Sequence, residues 1–375
     1  MNNTDSSATA HSPEHAEQPG VIHQLMDACA TLGASDLHLS HGLPATYRIR
    51  GQIHAAGEHV YNGTEVDAMA CVLMSELQLS QFRQDMTLDM GFSTGGGNRF
   101  RVNVYREQGN TALAIRYLDG SLKSTRELGL PPQMEYLAQL KSGLVLVCGA
   151  TGSGKSTTLT AILNDINEHQ AKHILTVEDP VEFVHRNKKS IVHQRELYTD
   201  VPNFASAVKA ALREDPDVIM VGEMRDLETM RTALTAAETG HLVFSTLHTN
   251  DAVGVIERLI GSFPGNEQTV ARQRIAHALK AVVAQNLVPT MDGKSRAVVA
   301  EILMVNTAVA NLIESAKSKQ IYSVMESSTR EGMQTLDQAL ARLVRAKQIT
   351  PDAGRMLCRD LQTFERLLGA KGTHR

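Results

Sequence analysis

From Val21 onward, apolar residues recur at helical spacing, at Val21, Ile22, Leu25, Met26, Cys29 and Leu32, until Gly33 interrupts them. The pattern predicts an amphipathic helix closed by a glycine C-cap. Three runs follow, DLHL, ATYRIRGQIH and MTLDMGFS, with a helical stretch at about residues 65–84 between the last two. RFRVNVYRE and ALAIRYL then alternate apolar and polar residues, and Gln108-Gly109-Asn110 between them predicts a hairpin. These elements make an α+β unit over residues 21–118. Residues 1–20 are rich in Ser, Thr, His, Pro and Glu without apolar periodicity, and a disordered tail is expected there.

After a polar connector at residues 119–130 the pattern changes. GLVLVC (143–148), ILTV (174–177), VIMV (218–221) and LVFST (242–246) are short apolar runs, with helical stretches between several of them. That alternation predicts a largely parallel α/β sheet, whose ligands bind beyond the carboxyl ends of the strands. We assign it residues 131–303. From 304 to 375 strand signals disappear and amphipathic helices are expected.

Composition narrows the class. The chain has 375 residues, enough for two or three domains with cores of their own. A net charge of −4 gives no bulk attraction for nucleic acid or an anionic membrane. There is no basic stripe interleaved with aromatics, so nucleic acid is not an expected partner. No apolar run reaches the ~20 residues that span a bilayer. The polar start, MNNTDSSATAHSPEHAEQPG, lacks the apolar core of a signal peptide. The expected location is the cytoplasm. Cys29, Cys71, Cys148 and Cys358 are too scattered for a structural zinc site and are expected to be free thiols.

The chemistry begins at GATGSGKS, residues 149–156, which fits a phosphate-binding loop between the strand GLVLVC and the helix TTLTAILNDI. Gly149, Gly152 and Gly154 let the loop wrap closely, and the backbone of Gly149, Ala150, Thr151, Gly152, Ser153, Gly154, Lys155, Ser156 and Thr157 would cradle ATP or GTP. Lys155 brings a positive charge to the β/γ-phosphates, Ser156 a hydroxyl to Mg2+, and the helix N-terminus favours an anion.

Such proteins usually end a second strand with an Asp that supports magnesium. Here VIMV ends in Gly222-Glu223, and ILTV ends in Glu178-Asp179-Pro180. Duties usually held by one acidic pair would then be shared across two strands. Glu223 would hold magnesium through water or orient the attacking water, and Glu178 would act as general base. Glu214, Asp215 and Asp217 lie at the far end of their strand and read as capping or solvated residues. His248 follows LVFST at the reactive edge, suited to sensing the γ-phosphate or relaying state to a neighbour. His241, at that strand's start, suits a structural hydrogen bond as well as a functional role.

GATGSGKST, ILTVEDPVEFVH, ALREDPDVIMVGEMRD and AETGHLVFSTLHTND, in that order, resemble the Walker A, Asp box, atypical Walker B and His box of the secretion ATPases, above all the type IV pilus retraction ATPases. The resemblance runs over roughly residues 21–350, taking in LGASDLHLSHGLP and GMQTLDQAL. In that family the Gly-Glu ending is normal. It implies a PAS-like α+β domain, a RecA-like P-loop ATPase domain and C-terminal helices, assembled as a homohexamer using ATP and Mg2+. Nucleotide would bind where the two domains meet. N-terminal arginines complete that site in such rings, which nominates Arg101 and Arg116, and less directly Arg99. Hydrolysis would turn an inner-membrane pilus platform protein, at the cytoplasmic face, so that pilin subunits are withdrawn.

Two departures bear on the output. The tetracysteine module frequent in extension and type II secretion ATPases is absent, which favours the retraction branch. Retraction ATPases typically carry Ala-Ile-Arg-Asn-Leu-Ile-Arg-Glu in their C-terminal helices, whereas Ala310 and Glu314 here replace both arginines. A nucleotide-binding regulatory ring with little hydrolysis, and a related secretion or pilus-assembly ATPase with another cargo, stay open as alternatives.

Overall fold

The computed structural model describes residues 20–118 and 120–369. The expected disordered tail, except for Gly20, and residues 370–375 lie outside them. The chain divides into two compact units. Among the described residues, one comprises those up to Met74 with Phe82–Leu88 and Phe92–Leu118; the other takes Ser75–Gln81, Asp89–Gly91 and those from Gly120 on.

In the first unit the helix Val21–Leu32 closes on Gly33, whose φ of 64° is the left-handed value a C-cap requires. Strands β1 (Ala34–Leu39), β2 (Ala45–Ile49), β3 (Gln52–Ala56), β4 (Thr87–Ser93), β5 (Arg99–Glu107) and β6 (Asn110–Leu118) form one sheet, in the order β3-β2-β1-β6-β5-β4. ATYRIRGQIH is two strands rather than one. Arg50 and Gly51 both take positive φ, so the chain reverses on them and β2 pairs with β3. The helical stretch is likewise two helices, Gly63–Leu73 and Glu76–Asp85. The β5–β6 hairpin turns on Gln108-Gly109 alone, and Asn110 already pairs with Glu107. Its register places Val102 opposite Ile115 and Val104 opposite Leu113, all fully buried, and puts Arg101 opposite Arg116 on the other face.

The second unit holds a seven-stranded sheet of β7 (Gly143–Cys148), β8 (His173–Glu178), β9 (Ile191–Glu196), β10 (Val218–Val221), β11 (Leu242–Leu247), β12 (Leu279–Pro289) and β13 (Arg296–Met304). Its order is β13-β12-β7-β11-β10-β8-β9, parallel throughout except that β13 runs against β12. Helices cover both faces, which is why β7 and β10 read as unbroken apolar runs. Leu144, Leu146 and Cys148 point into one core with Val177, Ile219 and Val221; Val145 and Val147 point into the other with Met220 and Phe244. Leu159, Ile162, Leu163 and Ile166 of the helix Lys155–His169 close that second core. Each such side chain contributes about 1.5–3 kcal/mol by leaving water.

The C-terminal part is helical. The helix Leu336–Arg345 starts from a capping box between Thr335 and Gln338, and packs Leu340 and Leu343 with Phe364, Val288 and Val299. Among the described residues no helix is long and apolar enough to cross a membrane.

A candidate nucleotide-hydrolysis site at the sheet edge

The parallel register fixes which residues leave the sheet side by side. Val177 of β8 is level with Val221 of β10, Val221 with Ser245 of β11, and Leu247 of β11 with Cys148 of β7. Glu178, Gly222-Glu223, His248 and Gly149 therefore emerge at one edge, as the carboxyl-end rule requires.

Gly149 takes φ 147°, and a Cβ there would come 2.4 Å from Gln285 O and 2.6 Å from Ser153 Oγ. Gly152 and Gly154 also have positive φ, at 79° and 86°. Lys155 is buried, and its Nζ donates to Gly149 O (2.9 Å) and Ala150 O (3.0 Å), which curls the loop around the ammonium group. Burial lowers the Lys155 pKa, while Glu223 pulls it back up. Ala150, Thr151 and Ser156 are exposed along the loop and helix start.

One loop-bracing residue carries no motif. Gln285, buried in β12, donates from Nε2 to Ser153 O (2.7 Å), and its Oε1 accepts from Thr158 Oγ1 (2.7 Å). It ties the loop to the first turn of the helix that follows. Its only trace in the sequence is a polar residue inside the apolar run AVVAQNLV.

Gly222 answers the oddity of its strand ending. Its N–H donates to Val177 O (2.8 Å), and a Cβ would lie 3.2 Å from that same oxygen and 3.5 Å from Glu178 Cα. Without a side chain, β8 and β10 approach closely and present Glu178 and Glu223 on adjacent tips. Thr246 Oγ1 donates to Gly222 O (2.6 Å), holding the tip from the other side.

The two carboxylates have unlike surroundings. Burial pushes the Glu178 pKa up to about 7, against hydrogen bonds to its Oε1 from Thr176 Oγ1 (2.7 Å) and Gln194 Nε2 (3.0 Å). Glu223 instead sits among cationic and polar partners: Arg225 Nε donates to its Oε2 (2.8 Å), and His248 Nε2 lies 3.2 Å from its Oε1. Arg225 also reaches Asp179 at 3.8 Å. Asp226 and Asp251, which follow these strand tips, cap the next helices by accepting from Thr229 N and Gly254 N.

Glu214 pairs with Arg195 (2.9 Å), which is level with Val177 near the carboxyl end of β9, so it does not stay at the far end of the sheet. At that far end, Asp217 accepts from Lys172 Nζ and His173 N (both 2.9 Å). Asp217 thus ties two strand starts together rather than capping a helix. His241 Nδ1 lies 3.0 Å from Ala236 O, a local contact at the strand's entry. In the first unit Arg116 Nε donates to Asp36 Oδ1 (2.8 Å), and Arg99 donates to Ser93 Oγ (3.1 Å). Burial acts to raise the Asp36 pKa, but the hydrogen bonds from Arg116 and Ser35 prevail and hold it low.

Among the described residues no three His, Cys, Asp or Glu side chains converge as a metal cage. Ser156 at the helix start and Glu223 at the strand tip are oxygen donors at this edge, a chemistry that suits Mg2+ held largely by phosphate oxygens and water.

The chain is 46% identical over 308 residues, 82% of each chain, to a twitching motility protein of Neisseria gonorrhoeae. It is 42% identical over 323 residues, 86% of this chain and 94% of the relative, to the type IV pilus retraction ATPase PilT of Pseudomonas aeruginosa. A solved structure of the pilus retraction motor PilT with bound ADP superposes with a TM-score of 0.84 at 41% identity, covering 93% of this chain and all of that one. The model of the family described as type II/IV secretion system protein matches residues 14–349, and with these relatives it places the chain in that ATPase family.

Proposed function

We propose that this protein is the ATP-hydrolysing subunit of a type IV pilus retraction motor. One observation carries the chemistry: the phosphate loop and two carboxylates of unlike environment share one edge of the sheet. The likeness to a twitching motility protein and to PilT, over most of each chain, supports the cargo.

In this reading the loop from Gly149 to Thr157 binds the ATP phosphates, and Lys155 turns from Gly149 O and Ala150 O toward the β/γ-phosphates. Ser156, and Glu223 through water, would hold Mg2+, which would supply positive charge against that developing on the phosphates. Glu178 accepts a proton from the attacking water, for which a pKa of about 7 suits it. His248 and Arg225 orient Glu223 and report the phosphate state. Arg101 and Arg116 are proposed to complete the site within a homohexameric ring, where a positioned arginine is worth ~10³–10⁵ in rate. The ring would act in the cytoplasm on an inner-membrane platform protein. The proposed domains are residues 21–118, a linker at 119–130, an ATPase core at 131–303 and a helical part at 304–375.

Expression in a piliated host that lacks its own retraction ATPase tests the cargo. The wild-type chain is expected to restore twitching and shorten surface pili, and Lys155→Ala is expected to leave long pili and no movement. A wild-type protein that hydrolyses ATP yet restores neither would assign the engine to another load.

A further inference from the structure

Gln194 on β9 stands opposite Thr176 of β8 in parallel register, and Thr176 and Glu178 share a face of β8 two residues apart. Thr176 and Gln194 thus reach Glu178 from adjacent strands, and both hydrogen bonds end on Oε1. The Gln194 amide is itself fixed. Its Nε2 also donates to Phe183 O (2.8 Å), and its Oε1 accepts from His185 N (2.7 Å). With a backbone N–H on one side and a backbone carbonyl on the other, the amide has one orientation only.

We propose that Gln194 is a positioning residue for hydrolysis, which clamps Oε1 of Glu178 so that Oε2 alone addresses the attacking water. This rests on the reading of Glu178 as general base. The charged groups around Glu178 are Glu182 on the following loop and Glu196 on β9, both of which disfavour its ionisation. Asp179, next in sequence, faces Arg225, and Gly222, just past the end of β10, approaches the Glu178 backbone. Thr176 and Gln194 are therefore the groups that favour the charged form against burial and two acidic neighbours.

The test is the pH profile of kcat, with KM for ATP, for full-length wild type, Gln194→Met and Gln194→Glu. Losing a hydrogen bond to a carboxylate is expected to move the acidic limb up by about one unit, so kcat at pH 6.5 falls about eightfold. At pH 9 the Gln194→Met rate is expected to return to within about twofold of wild type, with KM unchanged. Gln194→Glu keeps an acceptor for His185 N but loses the donor and adds a carboxyl group, so its limb is expected to move farther. An equal loss at every pH, a change confined to KM, or an unmoved acidic limb would each overturn the proposal by reducing Gln194 to a loop anchor. Wild-type turnover in Glu178→Gln is a different result, which overturns the general-base reading itself.

Discussion

Glu178 and Glu223 are the same residue type on neighbouring strand tips, yet their partners differ in kind. Glu223 is met by a guanidinium and an imidazole. Glu178 is met by a hydroxyl, an amide and two more acids, with burial the largest influence on it. A base must be ionised to act, so turnover is expected to fall as pH drops through about 7. The same displacement has a stability consequence with a definite sign. Its folded pKa of about 7 lies above the ordinary 4.5, so the fold favours the protonated acid. That contribution is complete below the ordinary value and is lost as pH rises through about 7. Glu178→Gln mimics the neutral acid, so its melting temperature is expected to exceed wild type at pH 8.5 and to converge on it below about pH 4.5. Equal differences at both ends of the range would contradict this account of Glu178.

At the scale of elements, the site is made by strand register and close strand approach. Gly222 lets β8 and β10 draw together, and a Cβ 3.2 Å from Val177 O would be tight enough that the Asp found there in other P-loop proteins would push the β8 backbone aside by a few tenths of an ångström. Gly222→Asp is accordingly expected to spread the two tips and to lower turnover about tenfold or more while nucleotide binding persists, since a displacement of ~1 Å can cost ~10² in rate. Measured turnover within twofold of wild type would show that the spacing is not critical. The sequence made β7, β8, β10 and β11 and their chemistry readable, because both faces of these strands are largely buried and their runs are dominated by apolar residues. It did not reveal β9, whose IVHQRE mixes polar and apolar residues at a sheet edge, or β12 and β13, whose apolar runs AVVAQNLV and AVVAEILM are broken by Gln, Asn and Glu and lack a clear period. Gln194 and Gln285 went unseen for that reason. Each is a lone polar residue whose partners appear only once the neighbouring strand is known.

For the whole molecule, the motifs specify an engine more firmly than its load. The helix Thr307–Glu314 keeps Val309 and Ile313 in the core, caps on Asn306, and leaves Glu314 exposed. Glu314, where retraction ATPases typically carry an arginine, is therefore a change of surface charge rather than of packing. The proposed partition of labour, with Glu178 taking the proton and Glu223 serving magnesium, is the central claim. It is tested most directly by Mg2+-dependent ATP turnover and nucleotide binding measured side by side for the wild-type chain, Glu178→Gln and Glu223→Gln. The account predicts robust wild-type turnover, loss of it in both variants, ATP binding retained in both, and a weakened dependence on Mg2+ concentration in Glu223→Gln alone. Tight ATP binding with no turnover in the wild-type protein would contradict it and favour a regulatory ring.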